Sequence, residues 1–142
     1  MRSVRHPLGF YVVSIAVFLE RWAAAMLGSS VVLMLCERYG HARGEALRLA
    51  SILNAASYLA TLPGGLAIDG ALAPRRALGL GMALLALGYA ALTLVTPDAI
   101  WLSSFLLVCG HGLFKPSTQA MLARLYAPGD ERLDAAQVAF YL

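Results

Sequence analysis

The sequence predicts an all-α membrane protein with four transmembrane helices and the start of a fifth. Three observations carry that prediction. Only 13% of the 142 residues are charged and 60% are hydrophobic, whereas a soluble domain of this size usually carries about 25% charged residues. The charges collect in short clusters between long uncharged stretches. Four of those stretches are long enough to cross a hydrocarbon layer of ~30 Å at ~1.5 Å per residue. A formal charge of +3, small and scattered, excludes nucleic acid as a partner. The lipid bilayer is the partner that the composition implies.

The first predicted helix covers 8–36, where Glu20 and Arg21 are the only charged residues. The basic leader MRSVRHP before an apolar run resembles a signal peptide. However, the run is about twice the usual length, is charged at its centre and lacks a small-residue cleavage site, so it is retained as a span. The second helix covers 47–68 and is uncharged from Leu49 to Ile68. The third covers 76–96, and Pro97-Asp98 turns the chain tightly into the fourth, 99–123, which only Lys115 interrupts. A fifth apolar stretch, 133–142, is too short to span. Residues 1–142 are therefore expected to form one partial transmembrane bundle, the N-terminal part of a longer or truncated gene product.

Short connections make successive helices antiparallel neighbours. Small residues four apart allow close helix approach at Ala24/Gly28, Ser51/Ala55, Ala77/Gly81 and Gly79/Ala83. With the N-terminus cytoplasmic, the inner segments hold Arg2, Arg5, Arg75, Arg76, Arg124 and Arg132. The outer ones hold Arg38, Arg43 and Arg48. This excess favours N-terminus inside under the positive-inside rule, and an integral protein of a bacterial inner membrane is expected. Cys36 and Cys109 fall at different depths and offer neither a disulfide nor a zinc spacing. No nucleophile–base set, metal cluster or cofactor motif is evident, and GLG at 79–81 lacks the third glycine and strand of a nucleotide fingerprint. The chain is read as a non-enzyme without metal or cofactor.

The candidate chemistry lies in the buried charges. Glu20 and Arg21 sit near the middle of their helix, where an unpaired charge costs about 2.5–3.5 kcal/mol. Adjacent helical residues point about 100° apart, so each needs a partner or water from elsewhere. An interhelical salt bridge would satisfy them; so would a polar midplane cavity handling a substrate charge and a proton. Lys115, the only lysine, lies beside Pro116, which removes a backbone donor. A lysine at such a break can face an acid on another helix, or snorkel to the cytoplasm. His111 shares the Lys115 face and can titrate near neutral pH, or simply bond a neighbouring helix. Asp69, Arg75 and Arg76 in GGLAIDGALAPRR form either a solvated loop or a charge group that breaks when helices move.

The tail GLFKPSTQAMLARLYAPGDERLDAAQVAFYL closely resembles the proton-dependent oligopeptide transporter family of the major facilitator superfamily. That family shows G-x-G-L-F-K-P-N in its fourth helix, then Y-x-x-G-D-x-R-x-D and an F-Y-M start to helix five. Gly110, Gly112, Leu113, Phe114, Lys115 and Pro116 match, with Ser117 for the usual Asn. Tyr126, Gly129, Asp130, Arg132, Asp134, Phe140 and Tyr141 also match. The loop after helix two is similar to the superfamily signature G-G-x-x-A-D-R-x-x-G-x-R-R at Gly64, Gly65, Asp69, Arg75 and Arg76; Ile68, Gly70 and Ala73 depart from it. VFLER is similar to the E-x-x-E-R motif of helix one.

The resemblance implies a major-facilitator-type N-terminal bundle of a proton-coupled symporter for di- and tripeptides, or a related small solute, working by alternating access. It implies proton coupling by Glu20, Arg21 and Lys115, and substrate binding by Arg21, Lys115 and Tyr58. It also assigns a gating loop to Asp69, Arg75 and Arg76. The implied partners are protons, the solute and a missing C-terminal bundle, without which the chain should not transport. Val17 replaces the motif's first glutamate, and Ala24, Ala25 and Gly28 replace polar residues, which weakens the case for peptides as the solute. Two other readings remain at this point: a truncated non-transporting membrane protein or assembly partner, and a small multidrug carrier. The intramembrane Lys115 argues against the carrier.

Overall fold

The computed structural model describes residues 6–94, 96–127, 130 and 132–141. Arg2 and Arg5 of the orientation count, and Gly129 of the loop motif, lie outside the described residues. Among the described residues six helices follow in order: α1 (Leu8–Tyr39), α2 (Arg43–Leu59), α3 (Thr61–Gly70), α4 (Pro74–Leu92), α5 (Pro97–Arg124) and α6 (Arg132–Tyr141). Four helical segments, with α2 and α3 counted as one, are long and apolar enough to cross a membrane. The chain is an integral membrane protein.

Local chemistry places the ends. Gly40 adopts φ 69° after α1, a left-handed conformation that costs glycine nothing. There His41 N–H donates to the Leu35 carbonyl at 3.1 Å. Proline opens both α4 and α5, where its missing N–H has no helical acceptor to lose. Thr96 caps α5 by accepting from Ala99 N–H at 3.2 Å. The second span begins earlier than the sequence suggests and is interrupted at Ala60. Pro63 cannot donate to Leu59, and the Thr61 hydroxyl donates to the Tyr58 carbonyl at 2.6 Å. The third span ends at Leu92, short of the 96 expected.

Helix α5 is the centre of the bundle and packs against each of the other five helices. Its closest approaches run through glycine. A Cβ on Gly81 would lie 2.9 Å from Phe114 N, and one on Gly88 2.9 Å from Leu107 Cγ. A Cβ on Gly64 would overlap the carbonyl oxygen of Gly112. That carbonyl has no helical donor, because residue 116 is proline. Of the four small-residue pairs, only Ala77/Gly81 is buried at such a crossing; Gly79, Ala83, Ser51 and Ala55 are exposed.

Phe10, Val13, Val17, Leu85, Leu107, Phe114 and Leu122 form the main core, joined by Tyr126 and Ala136. Val17 thus has a packing role where the family motif carries an acid. The exterior is apolar too, with Leu8, Trp22, Trp101 and Phe105 all more than half exposed. Such a surface suits lipid or another membrane-embedded bundle and would be untenable in water.

Candidate functional site

A cavity of about 1010 Å³ opens between α1, α2, α3 and α5. Most of its α1 wall is apolar or small: Val17, Ala24, Leu27, Gly28, Val31 and Val32. Polar groups converge from four helices: Glu20 and Arg21 from α1, Asn54, Ser57 and Tyr58 from α2, Thr61 from α3, and His111, Lys115 and Gln119 from α5. Every residue that the sequence marks for proton coupling or substrate binding lines this one space. An apolar pocket with a few convergent polar groups is the usual form of a small-molecule site.

Helical spacing explains the convergence. His111, Lys115 and Gln119 are four apart on α5, as are Asn54 and Tyr58 on α2, so each set forms a stripe. Gly112, between His111 and Lys115, lets α5 lie close to Ala60, whose carbonyl a Cβ there would approach to 2.7 Å. The close approach of α3 brings the end of α2, with Tyr58, up to the lysine.

The pairing differs from the arrangement suggested by sequence. Lys115 Nζ lies 3.8 Å from the centre of the Tyr58 ring, a cation–π contact, and makes no ion pair with Glu20. The nearest cationic candidate for Glu20 is His111, whose Nδ1 is 3.0 Å from Glu20 Oε1, with each side chain 9% exposed. Although that distance is short, Nδ1 lacks the alignment of a hydrogen bond. Among the described residues Arg21 forms no ion pair, and it is exposed on the cavity side. Asn54 and Gln119 were not singled out by sequence; the four-residue spacing to Tyr58 and Lys115 was the available signal.

The charges of the loop after α3 do not meet. Asp69, Arg75 and Arg76 are exposed and form no ion pairs among the described residues. Asp69 sits in the last turn of α3, and both arginines sit in the first turn of α4. Each has the sign that the local helix dipole disfavours, by about 0.3–1 kcal/mol at an exposed end. Helix stability is therefore not what places them.

At the same end of the bundle, His6 Nδ1 is 2.7 Å from the Tyr126 hydroxyl, and its ring stacks on Phe10 with centroids 4.5 Å apart. Asp130 caps α6, accepting from Arg132 N–H at 3.0 Å and from its guanidinium. The Arg132 guanidinium bonded to Asp130 holds that carboxyl below the usual carboxylate range.

No family model matches the chain. It is 37% identical over 106 residues to the Yersinia enterocolitica peptide transporter YePEPT, covering 72% of this chain and 21% of that protein. It is 28% identical over 144 residues to dipeptide and tripeptide permease A of Salmonella typhi, covering 100% of this chain and 29% of the permease. A solved peptide transporter in complex with sulfate superposes with a TM-score of 0.89 at 29% identity, covering 99% of this chain and 30% of that one. A solved POT family transporter in complex with 5-aminolevulinic acid gives a TM-score of 0.91 at 27% identity, covering 98% and 30%. The chain thus spans less than a third of the length of these relatives. Shared over its whole length in both sequence and fold, these features place the chain in the proton-dependent oligopeptide transporter family of the major facilitator superfamily.

Proposed function

We propose that this chain is the N-terminal part of a proton-coupled symporter for di- and tripeptides or a related small solute, working by alternating access. The carrying observation is the convergence of Glu20, Arg21, Tyr58, His111 and Lys115 on one cavity inside the bundle. Glu20 takes up and releases the coupling proton; charge in a low-dielectric site is costly, so its protonation follows the state of its neighbours. Arg21 and Lys115 receive the substrate carboxylate. Lys115 waits over the Tyr58 ring, which holds an ammonium less tightly than a carboxylate would.

The N-terminus is cytoplasmic and the membrane is a bacterial inner membrane. Asp69, Arg75 and Arg76 act at the cytoplasmic rim, where their unpaired and dipole-opposed placement leaves them free for groups on a second bundle. Alternating access needs two bundles that rock against each other, so the four-helix unit taken alone does not transport. The small, apolar α1 wall at Ala24 and Gly28 favours solutes with little polarity on that side.

The test is uptake by the full-length gene product in proteoliposomes under an inward proton gradient. Glu20→Gln is expected to abolish uphill accumulation of a labelled dipeptide while solute exchange partly survives. Unchanged uphill accumulation would refute the role of Glu20.

A further inference from the structure

The strongest unassigned feature is the contact between α1 and α5. His111 Nδ1 is buried without a hydrogen bond and lies 3.0 Å from Glu20 Oε1. A nitrogen and an oxygen that close, both stripped of protons, would oppose their lone pairs across a contact in which each side chain is 9% exposed. At least one proton therefore belongs to the pair, on the carboxyl or on the ring. With one proton it is a carboxylate beside the Nδ1–H tautomer of a neutral imidazole; a second makes it a neutral acid beside a neutral imidazole or a carboxylate beside an imidazolium, and a third leaves both protonated. Among the described residues Glu20 is the only acid on the cavity wall, and Val17, one turn earlier, is buried in the core.

We propose that His111 is a second proton-binding group of the transport cavity, exchanging a proton between its Nδ1 and Glu20 Oε1. The proposal rests on the transport reading above and deepens it. The bonds balance simply: once a side-chain rotation aligns the 3.0 Å contact, O–H breaks as N–H forms, or the reverse, with no other bond made or broken. The surroundings can steer that exchange. From α1, Arg21 lines the same cavity; from α2, Tyr58 faces it; from α5 itself, Lys115 lies one turn on. From α4, Tyr89 brings a buried hydroxyl without a partner. From α3, Thr61 reaches the cavity, while Asp69, its only ionisable residue, is exposed near the opposite end. A substrate carboxylate drawn to Arg21 and Lys115 would favour retention of the second proton by the pair, so that solute and proton enter together.

The experiment is a proton-binding titration of the full-length gene product in nanodiscs, for wild type, Glu20→Gln, His111→Gln and the double variant. Coupled sites titrate as a pair. The proton losses of the single variants should not sum to that of the double. In addition, the His111 ring resonance, identified by its absence in His111→Gln, should change its midpoint in Glu20→Gln by about one pH unit or more, a tenfold change in proton affinity. Additive losses together with an unmoved ring resonance overturn the pair. If His111→Gln does not fold, His111→Asn serves the same identification, and the resonance itself is read with His111 intact. Neither measurement needs transport. Coupling in a protein that shows no proton-driven uptake would refute the symporter reading and support the pair, whereas additive titration in a working symporter would refute the pair alone.

Discussion

Gly64 and Gly65 are neighbours in sequence, and the structure assigns them opposite tolerances. At Gly64 an added Cβ would overlap the Gly112 carbonyl oxygen and come within 2.6 Å of its carbon, 0.4 Å inside the 3.0 Å that real Cβ atoms respect. Both obstructing atoms are backbone, so no rotamer can relieve the clash and α3 must part from α5. Overpacking of this kind costs about 1–3 kcal/mol, occasionally more, and a rigid obstacle puts the cost near the upper end. At Gly65 nothing lies within 4 Å, and alanine is the better helix former by about 0.8–1.0 kcal/mol. The two alanine variants should therefore differ by about 2–4 kcal/mol. The assay is equilibrium unfolding of the chain in mixed micelles titrated with denaturing detergent, followed by helical circular dichroism. Gly64→Ala should unfold well before wild type, and Gly65→Ala at or beyond it. Equal midpoints for the two variants would refute the close α3–α5 crossing and with it the placement of His111 and Lys115.

Two further outcomes test the site and its rim. Tyr58→Ala combined with Lys115→Met in a double-mutant unfolding cycle should return a coupling of about 0.5–1 kcal/mol, the range for an exposed cation–π pair; Tyr58→Phe keeps the ring and should keep the coupling. At the start of α6, the folded Asp130 carboxyl is held below its ordinary value by Arg132, so its contribution is complete above the unfolded value of about 4. It is lost as pH falls through the lowered folded value. Hydrogen exchange at the α6 N-terminus should accelerate on acidification in wild type, and should be fast and nearly pH-independent, after correction for intrinsic rates, in Asp130→Ala.

Hydropathy made the spans legible because a membrane helix must bury its backbone polar groups along its whole length. It made α1 readable despite Glu20 and Arg21, and α5 despite Lys115. What it left unreadable was rotation about each helix axis. In a soluble bundle an apolar stripe identifies the inward face; here lipid and core are equally apolar, so Phe10 in the core and Phe105 on the exterior look alike. The same ambiguity made Ala77/Gly81 and Gly79/Ala83 equivalent, although only the first pair is packed at a crossing. It also hid the pairing of charges. Lys115 was the natural partner for Glu20 on charge alone, but the registers of α1 and α5 bring His111 to the acid and send Lys115 to Tyr58.

The run from Gly110 to Pro116 joins packing to chemistry. Gly110 admits Leu85 of α4, whose Cγ would lie 2.8 Å from a Cβ there, and Gly112 admits the backbone of Ala60. With α5 clasped on those two sides, His111 lies against Glu20 of α1 and Lys115, one turn on, reaches Tyr58. Pro116 contributes from a turn away by leaving the Gly112 carbonyl without a donor, and that oxygen occupies the space that Gly64 keeps free of a side chain. A substitution at any of the three glycines would then act on the proton site through helix position, with no change in the ionisable groups themselves. A motif that looks like a list of separate matches is, physically, one device for setting the depth and rotation of a single helix.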